Sequence, residues 1–125
     1  MNKLVLFLFL ISIFIISVVS CKDETDSLDC TGVVAAYTTT VKAILDTECA
    51  VSGCHVGTSP AGGLDLSTYT KASAAAKGSK FLCSIEHTCS TKMPLDPATG
   101  TAGEKLSDVE IKVLKCWIEK GTPEN

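Results

Sequence analysis

The stretch Cys49-Ala50-Val51-Ser52-Gly53-Cys54-His55 places two thiols and an imidazole within seven residues, and no other part of the chain restricts its folding as tightly. Thiols this close either join each other in a small disulfide loop, with His55 a surface residue beside it, or attach together to a third body. The remaining sequence bears on that choice because it offers little for a core. Once the N-terminal apolar run is set aside, the only aromatic residues are Tyr37, Tyr69, Phe81 and Trp117. A domain this small needs a staple, a metal or a cofactor to be stable.

The order of groups is that of the Cys-x-x-Cys-His signal for covalent haem attachment. Each thiol can add across one haem vinyl group to give a thioether. A His directly after the second Cys then becomes an axial ligand, its ring under the metal while both sulfurs reach the porphyrin edge. The spacer here is four residues rather than two. Covalent haem would also supply a flat apolar body for helices to pack around.

Residues 1–20 form an export leader: Met1-Asn2-Lys3, then an apolar run from Leu4 to Val19 interrupted by Ser12 and Ser17. The run is shorter than the ~20 apolar residues of a spanning helix and abuts a cleavage pattern. Val18-Val19-Ser20-Cys21 resembles a bacterial lipobox, in which Cys21 becomes the lipidated first residue; the alternative is an uncleaved anchor. Either way the domain is exported and held at a cell-envelope membrane, facing the periplasm or the cell surface. Removal of the leader leaves 105 of the 125 residues, enough for one domain. Ten Lys then face fourteen Asp and Glu, a balance of −4, and there is no Arg. With no basic stripe, nucleic-acid binding is set aside.

Of seven Cys, one is assigned to lipid and two to haem, leaving Cys30, Cys83, Cys89 and Cys116. In an oxidising compartment an even remainder reads as two disulfides, with three possible connectivities. The preferred map is Cys83–Cys89, a short local loop, and Cys30–Cys116, joining the two ends of the domain. Without haem, three disulfides would balance equally well.

Residues 21–32 read as a polar, acidic tether. From Val33 an apolar stripe (Val33, Tyr37, Val41, Ile44 or Leu45) predicts a helix running into Cys49, with Thr38 to Thr40 lowering its intrinsic propensity. The Gly- and Pro-rich loop after His55 is expected to offer a carbonyl, with Pro60 one candidate, to the His55 Nδ1–H, which leaves Nε2 for iron. Ser67 is the expected N-cap of an Ala-rich helix ending near Lys77-Gly78, and a short helix follows over about 80–86. Ser107 and Glu110 make a capping box, flanked by a Leu106–Ile111 staple. Val109 or Val113, then Leu114, Trp117 and Ile118, give the last helix its apolar stripe, and Gly121 stops it.

Two side chains are candidates for a sixth iron ligand. Met93, the only Met after the leader, precedes Pro94 in a loop 38 residues beyond His55, outside any amphipathic run that would make it core filler. A Met/His pair raises the reduction potential of a haem. His87, the only other His, is taken as a surface residue, with bis-His ligation the alternative.

An N-terminal helix ending in the Cys-Cys-His motif, a Gly-Gly-Leu-Asp-Leu loop, a Met-Pro strap and a terminal Leu-Ser-Asp-x-Glu-Ile…Trp-Ile-x-x-Gly helix together resemble the small cytochrome c domain. The likeness is closest to its exported lipoprotein forms, and some multihaem members carry the longer spacer. The resemblance spans 33–121, leaving 122–125 as a tail. It implies an all-α fold around one covalent haem c, with Cys49 and Cys54 as thioether residues and His55 and Met93 as axial ligands. The function implied is one-electron transfer between redox protein partners, without enzymatic turnover. The alternatives are a haem-free, disulfide-stapled binding or structural lipoprotein, and a haem sensor or peroxidase with a labile sixth ligand.

Overall fold

The computed structural model describes residues 28–125. The leader, Cys21 and the tether up to residue 27 lie outside the described residues. Regular structure in the described part is helical: α1 (Lys42–Glu48), α2 (Tyr69–Ala76), α3 (Phe81–Ile85) and α4 (Asp108–Glu119). No strand occurs among these residues beyond an isolated Leu95–Ala102 bridge.

α4 forms as its sequence dictates. The Ser107 hydroxyl accepts from the Glu110 amide while the Glu110 carboxylate accepts from the Ser107 amide, closing the capping box. Leu106 and Ile111 are both buried beside it. Leu114 and Trp117 are wholly buried and Val113 packs against the core, whereas Val109 is 73% exposed. The stripe therefore runs through Val113. At the other end Gly121 adopts φ +82°. Its amide bonds to the Ile118 carbonyl and the Thr122 amide to the Trp117 carbonyl, the paired 5→2 and 6→1 bonds of a Schellman stop.

The N-terminal helix departs from expectation. Val33–Ala36 is not helical, the turn Tyr37–Val41 is π-wound, and regular α-helix begins only at Lys42. The cause lies at the other end of the chain. The first amides of the turn, on Tyr37 and Thr38, bond to the carbonyls of Pro123 (3.0 Å) and Glu124 (2.9 Å). These bonds satisfy donors that a helix start otherwise leaves open. Thr39 and Thr40 turn their hydroxyls onto the Ala36 carbonyl, competing with helical winding. Residues 122–125 are thus part of the packed body: Thr122 is 1% exposed, and the Pro123 carbonyl also accepts from the Trp117 indole at 2.9 Å. Tyr37 lies between Tyr69 and Trp117, ring centroids 5.4 and 6.2 Å away.

Ser67 does not cap α2. Thr68 holds the N-cap position without a side-chain bond. The Ser67 amide and hydroxyl instead donate to Asp65, at 2.8 and 2.6 Å. Asp65 also meets Lys71 at 2.6 Å, and these donors hold its carboxyl well below the usual range. The start of α2 is therefore anchored by the Asp of the Gly-Gly-Leu-Asp-Leu segment.

One disulfide joins the ends of the domain, Cys30 to the fully buried Cys116. With Leu28 packed on the core, the folded body begins ahead of residue 33. Cys83 and Cys89, the other expected pair, are thiols in this structure. Among the described residues, no helix is long and apolar enough to cross a membrane.

Candidate functional site

The site is built where α1 stops. The Cys49 amide closes the last helical turn on the Leu45 carbonyl, and the Cys49 carbonyl accepts from the His55 amide at 3.1 Å. The intervening residues fold into a tight turn, Cys54 amide to Val51 carbonyl at 3.0 Å, with Gly53 at φ +83°. The longer spacer is absorbed there, and the positive φ explains why a Gly occupies position 53. Cys49 and Cys54 are not bonded to each other. Cys49 is buried, which pushes its thiol up to about 12, so it stays protonated near neutrality.

His55 is held from two directions by the returning loop. The Leu66 amide donates to its backbone carbonyl at 2.8 Å, and its ring Nδ1 lies 2.9 Å from the Leu64 carbonyl. A carbonyl only accepts, so Nδ1 carries the hydrogen and Nε2 keeps its lone pair. This is the arrangement expected of a metal-binding His, with Leu64 rather than Pro60 as acceptor.

Two cavities of about 760 and 600 Å³ share Cys49, His55, Ala61, Met93 and Leu95 in their walls, within the range of cofactor sites. Cys54 lines the first, and Leu64, Leu66, Phe81 and Ile85 line the second. Cys49, Cys54, His55 and Met93 thus all line the first cavity. Both cavities open beside exposed apolar side chains, Val51, Leu64 and Leu95.

These walls fit a haem better than a bare ion. Among the described residues, no three His, Cys, Asp or Glu side chains gather into an ion-binding nest. An iron here would draw its remaining ligands from a tetrapyrrole. One imidazole nitrogen, one thioether and two unbonded thiols in a mostly apolar wall are groups that could hold a covalently attached haem.

Met93 is positioned through its backbone. Its amide donates to the Ser84 carbonyl at 3.0 Å, and its carbonyl accepts from the His87 ring Nε2 at 3.0 Å. His87 is therefore half-buried and bonded to the Met93 strap, not the free surface residue expected. It is in the wall of neither cavity. A sequence signal for this existed: α3 ends at Glu86-His87-Thr88 without the Gly or Asn that usually stops a helix.

The Cys83 thiol donates to the Lys80 carbonyl at 3.5 Å and the Cys89 thiol to the Thr91 carbonyl at 3.3 Å; the influence of each thiol on the other raises Cys83 and lowers Cys89. Ser84 Oγ lies 3.4 Å from the Cys89 sulfur, so the pair sits against the residue that receives the Met93 amide. No protein-family model, curated protein or solved structure matches this chain.

Proposed function

We propose that the chain is a one-electron carrier built around a single covalent haem c. Cys49 and Cys54 would hold the group through thioethers, with His55 and Met93 as its axial ligands. When bound, the haem supplies an iron that cycles between ferrous and ferric states. What carries the reading is that His55, its Nδ1–H engaged by Leu64, lines one cavity with Met93 and both thiols.

The residues around the site serve this role in distinct ways. Leu64 fixes the His55 tautomer and ring plane, which raises the basicity of Nε2. Leu66, Phe81 and Ile85 exclude water, and a drier, apolar wall favours the less charged ferrous state. With His55 and Met93 both holding the iron, no coordination position would be left for a substrate, which favours a carrier over a peroxidase or gas sensor. Val51, Leu64 and Leu95 at the mouth offer an apolar contact for a redox protein partner. Cys21 would tether the domain by lipid at a cell-envelope membrane, and oxidation of Cys83 and Cys89 in that compartment would close the expected second disulfide.

The test is a visible spectrum of protein matured with the c-type haem machinery, followed by haem staining after denaturation. A red product whose haem survives denaturation is expected, together with loss of stable holoprotein in His55→Ala. A colourless folded protein would leave the haem-free lipoprotein as the better reading.

A further inference from the structure

We infer that His87 is a positioning residue that holds the Met93 strap in its ligand-presenting place. The inference rests on the haem reading above and assigns a role that reading does not need. Three observations carry it.

The first is the bond itself. The His87 Nε2 lies 3.0 Å from the Met93 carbonyl; since the oxygen only accepts, Nε2 carries the hydrogen and donates. That nitrogen has no lone pair left for a metal. The second is that the opposite side of Met93 is also tied, amide to Ser84 carbonyl at 3.0 Å. Both backbone polar groups of Met93 are therefore anchored to one short segment, Ser84 to His87. That segment is itself fixed in the body by buried Ile85 and by a 2.9 Å bridge between Glu86 and Lys115 of α4.

The third is the backbone of His87. Its φ of +59° lies in the left-handed region, and its position is that of the residue closing a Schellman stop. The His87 amide bonds to the Ser84 carbonyl and the Thr88 amide to the Cys83 carbonyl. Gly is the residue this geometry favours. A His here accepts an unfavourable backbone conformation, and the interaction its side chain gains is the grip on Met93. A thioether is a weak ligand, so holding its backbone in place raises the fraction of time sulfur occupies the iron.

The test uses His87→Gly in the holoprotein, because Gly keeps the left-handed turn and removes only the ring. Imidazole, titrated into the ferric protein and followed by absorbance, competes with Met93 for the iron. The variant is expected to bind imidazole about two- to tenfold more tightly, the factor one hydrogen bond contributes. Its sulfur–iron charge-transfer band should weaken, and hydrogen exchange at the Met93 amide should quicken, without a fall in thermal midpoint. Unchanged imidazole affinity and exchange in His87→Gly would overturn the inference while leaving the haem assignment standing. Loss of the low-spin spectrum in His87→Gly but not in Met93→Ala would also overturn it, making His87 the ligand. A wild-type protein without haem would remove both readings, and is recognised before any variant is made.

Discussion

α3 and α4 end in the same hydrogen-bonded stop, yet one is closed by His87 at φ +59° and the other by Gly121 at φ +82°. After α4 the stop delivers Thr122 and the Pro123 and Glu124 carbonyls to the core, where they take up Trp117, Tyr37 and Thr38. Its consequences are structural: Gly121 turns the chain without strain, and the buried Thr122 after it is also left-handed, at φ +59°. After α3 the same geometry carries a side chain that a Gly would lack, and that side chain reaches the Met93 strap. Each stop thus holds one left-handed non-glycine residue whose side chain is used: Thr122, its hydroxyl 2.7 Å from Ser73 Oγ in the core, and His87, bonded to the Met93 strap.

The largest test of this contrast is Trp117→Ala. It removes a fully buried indole together with its bond to Pro123, and should cost about 3–5 kcal/mol. Phe81→Ala at the start of α3, half-buried against a cavity, should cost about 1–2 kcal/mol. Denaturant midpoints compare the two. Equal losses would mean that the α3 end supports the fold as much as the α4 end does.

A sharper comparison exchanges the stops. Nothing crowds a Cβ built at Gly121, so Gly121→Ala should cost only the backbone term, about 1–2 kcal/mol. His87→Gly relieves strain while losing one hydrogen bond, and should stay within about 0.5 kcal/mol of wild type. A loss at His87 larger than that at Gly121 would break the contrast.

The smallest effect concerns the start of α2, which relies on a carboxylate where α4 has a capping box. The Asp65 carboxyl is held below its ordinary value of 3.8 by Lys71 and Ser67. The folded state therefore binds protons less readily than the unfolded one at this site. The stabilisation is present above about pH 3.8 and fades as pH falls below it. Asp65→Asn should be slightly less stable at neutral pH and show a shallower acid limb in thermal melts. Parallel acid limbs would show that Asp65 contributes nothing measurable.

Much of α4 was legible because its signals are local. Ser107, Glu110, Leu106, Ile111 and Gly121 act within one turn of the residues they affect, and spacing alone reveals them. The Cys30–Cys116 bond was also anticipated, although the count of cysteines allowed other maps. What helical spacing does not reveal comes from the far end of the chain or from a competing neighbour. The π-wound turn exists because Pro123 and Glu124 arrive beside Tyr37 and Thr38. Ser67, a good cap by type, is diverted by Asp65 two residues before it. At the candidate site Cys49, Cys54, His55 and Met93 were singled out by their order, and all four line one cavity. The Leu64 acceptor was missed because the loop had to be closed before its nearest carbonyl was known. His87 was taken as a surface residue because the absence of a Gly where α3 stops is a faint signal, and its bond runs to the backbone of Met93 rather than to a side chain.

The Cys30–Cys116 bond has a mechanical consequence. Any tension along the chain ahead of residue 28 enters the domain at Cys30 and passes covalently to Cys116 inside α4. From there the load reaches the most deeply buried helix, bypassing the Tyr37 turn and α1. The Cys49–His55 loop and the Met93 strap lie off that line of force. A pull from that side would tug the body as a whole and leave the geometry around His55 undisturbed.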